Sequence, residues 1–465
     1  MSRFLDPPKP KAQLPEEKVN KVYPSMRLKV FLGAFLGYAG YYLVRKNLAI
    51  AAPDMIKDGL LDKGSVGIAM SAVSIAYAFS KFIMGSVSDR SDARKFLCVG
   101  LVLSALVMMS VGLIPFGANV ALNAGIIFAL MLVVGWLSGM GWPPCGRIMA
   151  HWFSQNERSF KMSVWNVSHT IGSGSLGLIT LGGVALFAAL DISQTWRADF
   201  IVPSVVALLI ALFCWWAIRD TPESMGLPSI QDYRKDYSGV KTKSKAGEKL
   251  PFKVLFVDYV LKNKLLWIIA LSNVAVYMIR YGIGDWAPTY LQETGIMTAA
   301  ESKVAFSVHN YVGAVGTILC GLASSKIFKG RCAPMNVICM AFCLLGCILY
   351  WYAGANAASM SPATAKTLIY AALLIIGFFI YGPVALVGIQ ALNTVPKNAA
   401  GTAAGFVGLF GYLFGDSLCS KIVVGGLADS SWNTANMAFI ICAVIGIVLC
   451  AIPNKSERKQ YADNK

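Results

Sequence analysis

Charge is scarce in this chain, and negative charge is scarcer still. Only 14% of the 465 residues are charged, with 24 Asp and Glu against 41 Lys and Arg, while 56% are hydrophobic. A water-soluble protein of this length needs more polar surface than that, so a soluble globular class is excluded. The ten-residue alternating segments of an outer-membrane barrel are missing, and the apolar runs are continuous. No G-x-x-x-x-G-K-[ST] stretch occurs, which removes a nucleotide-driven pump. Neither paired catalytic carboxylates nor a nucleophile–base signature lies among the apolar segments, so no enzyme is expected. The 11 cysteines fall mostly inside apolar runs and fit neither a zinc site nor a disulfide framework; they read as small packing residues, with no metal or cofactor expected. The N-terminal DPPKPKAQLPEEK lacks an apolar core and a cleavage site, so no signal peptide is expected.

What the chain does have is apolar runs of about 20 residues from end to end, the length that crosses a bilayer. The fold class is therefore an all-α polytopic membrane protein. Twelve spans are expected, at 29–52, 65–88, 96–117, 122–146, 161–187, 198–218, 264–290, 304–326, 334–355, 366–390, 401–423 and 433–453. They divide into an N-terminal six-helix half over 29–218 and a C-terminal half over 264–453. Residues 1–28 and 454–465 form tails, and the polar 219–263 segment forms a central loop. The formal net charge of +17 sits in alternate loops, including Arg90, Arg94, Lys95, Arg147, Arg158, Lys326, Lys329 and Lys397. This positive-inside bias predicts both termini in the cytoplasm and leaves no role for nucleic acid.

Two arginines stand inside expected spans, Arg45 and Arg280, 235 positions apart in the matching settings Tyr42-Leu-Val-Arg45 and Tyr277-Met-Ile-Arg280. An arginine at membrane depth costs roughly 2.5–3.5 kcal/mol on an insertion scale, so such residues are kept for a ligand, a partner or a pathway. Guanidinium presents a rigid fork of donors that matches phosphate oxygens and stays charged at any relevant pH. A second repeat signal pairs Gly85-Ser-Val-Ser-Asp89-Arg90 with Gly321-Leu-Ala-Ser-Ser325-Lys326. Parallel six-helix repeats suggest a site near mid-membrane, with each half supplying one arginine to a doubly negative ligand.

The blocks GYAGYYLVRKN, YAFSKFIMGSVSDRS, GMGWPPCGR, VWNVSHTIG, RYGIGDWAPTY, IYGPV and GTAAGFVGLFGYL together resemble the organophosphate:phosphate antiporters of the major facilitator superfamily. The likeness runs from about Lys29 to Ile452. GMGWPPCGR and GFVGLFGYL are similar to the branch that exchanges glycerol 3-phosphate for inorganic phosphate. Sugar-phosphate relatives carry Asp and Lys where this chain has Phe406 and Leu409. The resemblance implies two pseudo-symmetric halves, import of glycerol 3-phosphate against inorganic phosphate by alternating access, and a bacterial inner membrane location, with the chain acting as a monomer. Another organophosphate, such as a hexose 6-phosphate or phosphoglycerate, remains open as the ligand. So does a transporter-like organophosphate sensor.

The resemblance assigns Arg45 and Arg280 to the phosphoryl group, and His169, the histidine placed deep in a span, to substrate. Asn166 lies one turn before His169 and offers a further polar contact. Lys81 either attracts ligand or snorkels to the interface. Tyr38, Tyr42, Tyr77, Tyr381 and Tyr412 line the cavity or simply pack. Lys46 and Asp285 are implied to form a gating pair, with Asp89 and Arg90 in a conformational loop. Asn310 and Ser325 stand where the family carries acidic residues, which alters the gating charges.

Overall fold

The computed structural model describes residues 3–88, 90–236, 254–395 and 400–463. The predicted positions Asp89 and Lys397 and much of the central loop lie outside them. The elements follow one another as helices α1 (Glu16–Leu43), α2 (Asn47–Lys57), α3 (Lys63–Ser88), α4 (Ala93–Leu113), α5 (Val120–Ser138), α6 (Trp142–Trp152), α7 (Gln155–Asn166), α8 (Ser168–Ala189), α9 (Ala198–Ala217) and α10 (Ile230–Arg234). After the central loop come α11 (Lys264–Glu293), α12 (Ala299–Lys326), α13 (Ala333–Ala355), α14 (Pro362–Asn393), α15 (Ala400–Phe410), α16 (Val424–Ser430), α17 (Trp432–Ala451) and α18 (Asn454–Asp463). Gly411–Val423 joins α15 to α16 as a wider π-helical coil. No strand occurs among the described residues.

Among the described residues, ten helical stretches are long and apolar enough to cross a membrane, from Ala93–Leu113 to Trp432–Lys459. They match the third to twelfth expected spans. The first two expected spans are helical but differ in character. The first is interrupted at Val44–Lys46, so Arg45 sits at a break between α1 and α2 instead of inside a continuous helix. The second, α3, is diluted by Gly and Ser. The fifth expected span is likewise divided at Val167, between α7 and α8.

The chain packs as two compact units. The first contains Met1–Asn47, Ala76–Ile114 and Leu130–Gly247; the second contains Leu48–Ile75, Pro115–Ala129 and Glu248–Lys465. In the first unit α1 packs against α8 and α9, and α4 packs against α9. The approach of α8 to α1 is closest at Gly172, where a Cβ would lie 2.4 Å from the Ala39 carbonyl oxygen, so any side chain would push the helices apart. In the second unit the Gly411–Val423 coil packs on α11, and at Gly415 a Cβ would stand 2.6 Å from the Val274 carbonyl. Each unit thus has a glycine that lets a helix lie directly on the one carrying the matching Tyr-x-x-Arg tetrapeptide.

Buried carboxylates tie down corresponding helix starts. Asp220 Oδ1 accepts from the Ala93 N–H at 2.9 Å and takes a two-pronged contact from Arg147, with Nε–Oδ1 and Nη2–Oδ2 both 3.0 Å. In the second unit Glu457 Oε2 accepts from the Ala333 N–H at 2.9 Å, and its Oε1 accepts from Gln390 at 2.7 Å. Both satisfy donors that a helix N-terminus leaves without intrahelical partners, and both place a negative group at the positive end of the dipole.

Candidate functional site: two tyrosine-walled guanidinium groups

Arg45 is buried within the first unit where α1 ends, and the wall around it is aromatic. Its Cζ lies 3.9 Å from the Tyr77 ring centroid and 5.5 Å from that of Tyr42. Cation–π contact of this kind contributes about 0.5–2 kcal/mol, which offsets part of the desolvation cost. The break at Val44–Lys46 also brings the N-terminus of α2, starting at Asn47, next to Arg45. A helix start of this kind favours negative charge, as in carriers built with discontinuous helices.

The neighbouring residues form a continuous ring system. Tyr38 stands 5.6 Å from Tyr42 and 4.8 Å from Trp165, and Tyr42 stands 5.6 Å from the His169 ring. Lys81 Nζ is 6.0 Å from the Tyr77 ring and 5.4 Å from that of Trp142. Trp165 is fixed by its Nε1–H donating to the Ala34 carbonyl at 3.1 Å. Arg45, Tyr38, Tyr42, Tyr77, Lys81 and His169 are therefore brought together. Asn166 belongs to the group too, through its main chain, since its carbonyl pairs with His169 Nδ1. A carbonyl can only accept, so Nδ1 carries the proton in that contact. The neutral ring then offers an acceptor at Nε2, and only the imidazolium can donate there.

Arg280 is buried in the middle of α11, with its Cζ 4.7 Å from the Tyr281 ring, 4.8 Å from Tyr381 and 5.8 Å from Tyr277. Tyr412 meets Tyr277 edge-on at 5.1 Å, completing the wall. Tyr381 donates its hydroxyl to Asn310 Oδ1 at 3.0 Å, and Asn310 Nδ2 donates to the Phe306 carbonyl at 2.8 Å. A neutral amide thus holds the ring that covers Arg280. His309 is also buried within α12, so His169 is not the only deep histidine; its Nδ1 pairs with the Leu373 carbonyl at 3.1 Å.

Sequence reasoning missed a charge cluster in the second unit. Lys421 Nζ lies 2.8 Å from Asp416 Oδ1, 3.8 Å from Asp285 Oδ2 and 2.9 Å from Ser74 Oγ, and Ser74 Oγ donates to Asp416 Oδ2 at 2.5 Å. All four side chains are buried. The wider coil explains the pairing: with hydrogen bonds reaching five residues back, Asp416 and Lys421 stack over one another. In an α-helix, at ~3.6 residues per turn, they would stand about 140° apart around the axis. Lys421 also lies 5.4 Å from the Tyr281 ring, which links the cluster to Arg280. Two ionisable residues inside the eleventh expected span were the available signal. Arg90 lies in the turn after α3, exposed, with its backbone N–H donating to the Val87 carbonyl at 3.2 Å.

Comparison with known proteins agrees with this architecture. Residues 31–418 match the Major Facilitator Superfamily. The glycerol-3-phosphate transporter of Bacillus subtilis (strain 168) is 44% identical over 97% of both chains. The glycerol-3-phosphate transporter of Haemophilus influenzae is 39% identical over 97% of this chain and 96% of its own. In fold, a bacterial homolog of the human lysosomal transporter Spinster, solved inward-facing and occupied, superposes with a TM-score of 0.68 at 14% identity, over 93% of this chain and 97% of the other. These relatives bear out the resemblance drawn from the motifs, and they are transporters and not enzymes. The chain belongs to the Major Facilitator Superfamily, as a multi-pass membrane transporter.

Proposed function

We propose that this transporter imports glycerol 3-phosphate in exchange for inorganic phosphate by alternating access, with Arg45 and Arg280 each binding the phosphoryl group. The observation that carries the reading is the matching pair of buried, tyrosine-stacked guanidinium groups at equivalent points of the two repeats. Glycerol 3-phosphate and inorganic phosphate share a tetrahedral, doubly charged phosphoryl group, so one pair of forks serves both. The relatives named for glycerol 3-phosphate support the choice of ester.

A physical reason for obligatory exchange follows from the charges. Closing buried guanidinium groups away from water is costly when no ligand shares their charge. A bound dianion neutralises them and lowers the cost of the conformational change. His169, once protonated, adds a donor at Nε2 and a third positive charge. Lys81 serves to draw anions toward Arg45, and the tyrosines offer hydroxyls to phosphate or glycerol. Lys46 and Asp285, with Arg90 and Asp89, act in gating. Both termini lie in the cytoplasm of a bacterial inner membrane, and the monomer suffices.

The test is counterflow in proteoliposomes loaded with radiolabelled phosphate and challenged with a panel of esters. Phosphate efflux should require external ester or phosphate, with glycerol 3-phosphate effective at the lowest concentration. Preferential counterflow with hexose 6-phosphate or phosphoglycerate would replace the ester. Binding without any counterflow would favour a sensor.

A further inference from the structure

A basic and aromatic cluster lies at the C-terminal end of α9. Val205, Leu209, Leu212 and Trp216 recur at spacings of four, three and four along α9 and are all exposed, Leu212 by 68% and Trp216 by 57%. That spacing is one face of a helix. In a membrane-spanning helix such a face meets lipid, and its terminal tryptophans belong to the headgroup level.

Cations gather at that level from the flanking helices. Lys29 of α1 places Nζ 5.0 Å from the Trp216 ring, and Arg94 of α4 places Cζ 4.8 Å from the Trp215 ring. Arg219 joins them, donating to the carbonyls of Trp216 at 2.8 Å and Ile218 at 2.6 Å. Their positions are set by packing: α9 lies against both α1 and α4, with Cys214 Sγ reaching the Gly33 carbonyl at 3.2 Å and Cys98 Sγ the Ala211 carbonyl at 3.7 Å.

The nearby acids offset the positive charge of the group only in part. Asp220 is engaged by Arg147 and the Ala93 N–H. Asp92 caps α4 by accepting from the Arg94 and Lys95 N–H groups, and its contact with the Arg94 side chain is a loose 3.9 Å. Arg94 Nε is buried without a hydrogen-bond partner. The Arg219 pKa is lowered by burial and then by the Arg94 charge, with Asp92 acting in the opposite direction.

We propose that Lys29, Arg94 and Arg219, with Trp215 and Trp216, form a binding site for the headgroup of an anionic phospholipid. The phosphodiester sits among the three cations, and the acyl chains run along the exposed face of α9. Basic residues at a membrane surface each favour anionic lipid, and three of them together predict a preference of about a hundredfold over a zwitterionic lipid.

The full-length protein, purified in detergent and titrated with phosphatidylglycerol or phosphatidylcholine, tests this by native mass spectrometry. Wild-type protein should retain phosphatidylglycerol with the stated preference, and Lys29→Gln/Arg94→Gln/Arg219→Gln should retain the two lipids about equally. Should the triple variant fold poorly, Lys29→Gln alone should lower the preference about fivefold. Raising salt from about 0.05 M to about 0.5 M should shrink the wild-type preference without any substitution. Equal retention of both lipids by wild type, or an undiminished preference in the variants, would overturn the proposal. Displacement of phosphatidylglycerol by millimolar inorganic phosphate would also overturn it, by pointing to a soluble-anion site.

Discussion

Around Arg45 the contacts run through Tyr77 to Lys81 and through Tyr42 to His169. Around Arg280 the chain of contacts runs through Tyr281 to Lys421, Asp416 and Asp285. The frames are alike: each arginine is stacked on tyrosines, and each helix bearing the Tyr-x-x-Arg tetrapeptide is approached by a neighbour at a glycine. Their linked charges differ. The contacts of the first setting lead to a lysine and a histidine, and those of the second lead to a lysine and two carboxylates. Duplication explains the shared frame, and the proposed division of capture and gating between the halves accounts for the difference.

The sharpest way to break the comparison is to remove the fork while keeping the charge. Arg45→Lys and Arg280→Lys should each lower phosphate counterflow by about a hundredfold or more, because an ammonium cannot reproduce bidentate contacts at a stacked site. Normal exchange in both variants would end the claim that the two arginines act on the phosphoryl group.

Next comes the buried cluster of the second unit. Asp416→Asn leaves Lys421 short of a carboxylate, and breaking a buried pair from one side costs about 3–5 kcal/mol. Thermal unfolding in detergent should drop by several degrees, and Asp416→Asn/Lys421→Met/Asp285→Asn, which removes all three charges, should recover most of the loss. Failure of the triple variant to recover would show that the cluster acts by something besides charge pairing.

The frame was far more legible in the sequence than this cluster. Apolar run length located the ten most apolar spans, because the bilayer imposes it. The two Tyr-x-x-Arg tetrapeptides disclosed the repeat and both guanidinium groups. The break at Arg45 was hidden, since hydropathy averages over a window and does not register three unwound residues. The Asp416–Lys421 pair was hidden for another reason: five residues apart, they fall on different faces of an ordinary α-helix, and only the wider coil stacks them. The contact of the Asn166 carbonyl with His169 was hidden as well, because a side-chain reading does not foresee a main-chain partner.

A smaller effect, in pH dependence, sharpens the contrast between the settings. With Nδ1–H of His169 committed to the Asn166 carbonyl, donation from Nε2 begins only on protonation. Protonation of His169 should therefore strengthen phosphoryl binding by about tenfold or more, the worth of one charged hydrogen bond. His169→Gln should bind more weakly at low pH and lose the histidine component of the slope. An identical pH profile in wild type and variant, measured by isothermal titration with a ligand of fixed charge such as a sulfate ester, would remove His169 from the site.

The least effect is expected at Tyr381. Its ring covers Arg280, and its hydroxyl donates to Asn310. Tyr381→Phe keeps the ring and removes the donor, leaving the Asn310 oxygen one bond short, so the loss should be about 0.5–1.5 kcal/mol, or a few-fold in phosphate affinity. Asn310→Asp with Tyr381 intact should weaken binding further, since a carboxylate tied to that ring competes with the anion for Arg280. If Tyr381→Phe instead matched the loss in Arg280→Lys, the hydroxyl would have to contact the ligand directly, and the second setting would share in anion capture as fully as the first.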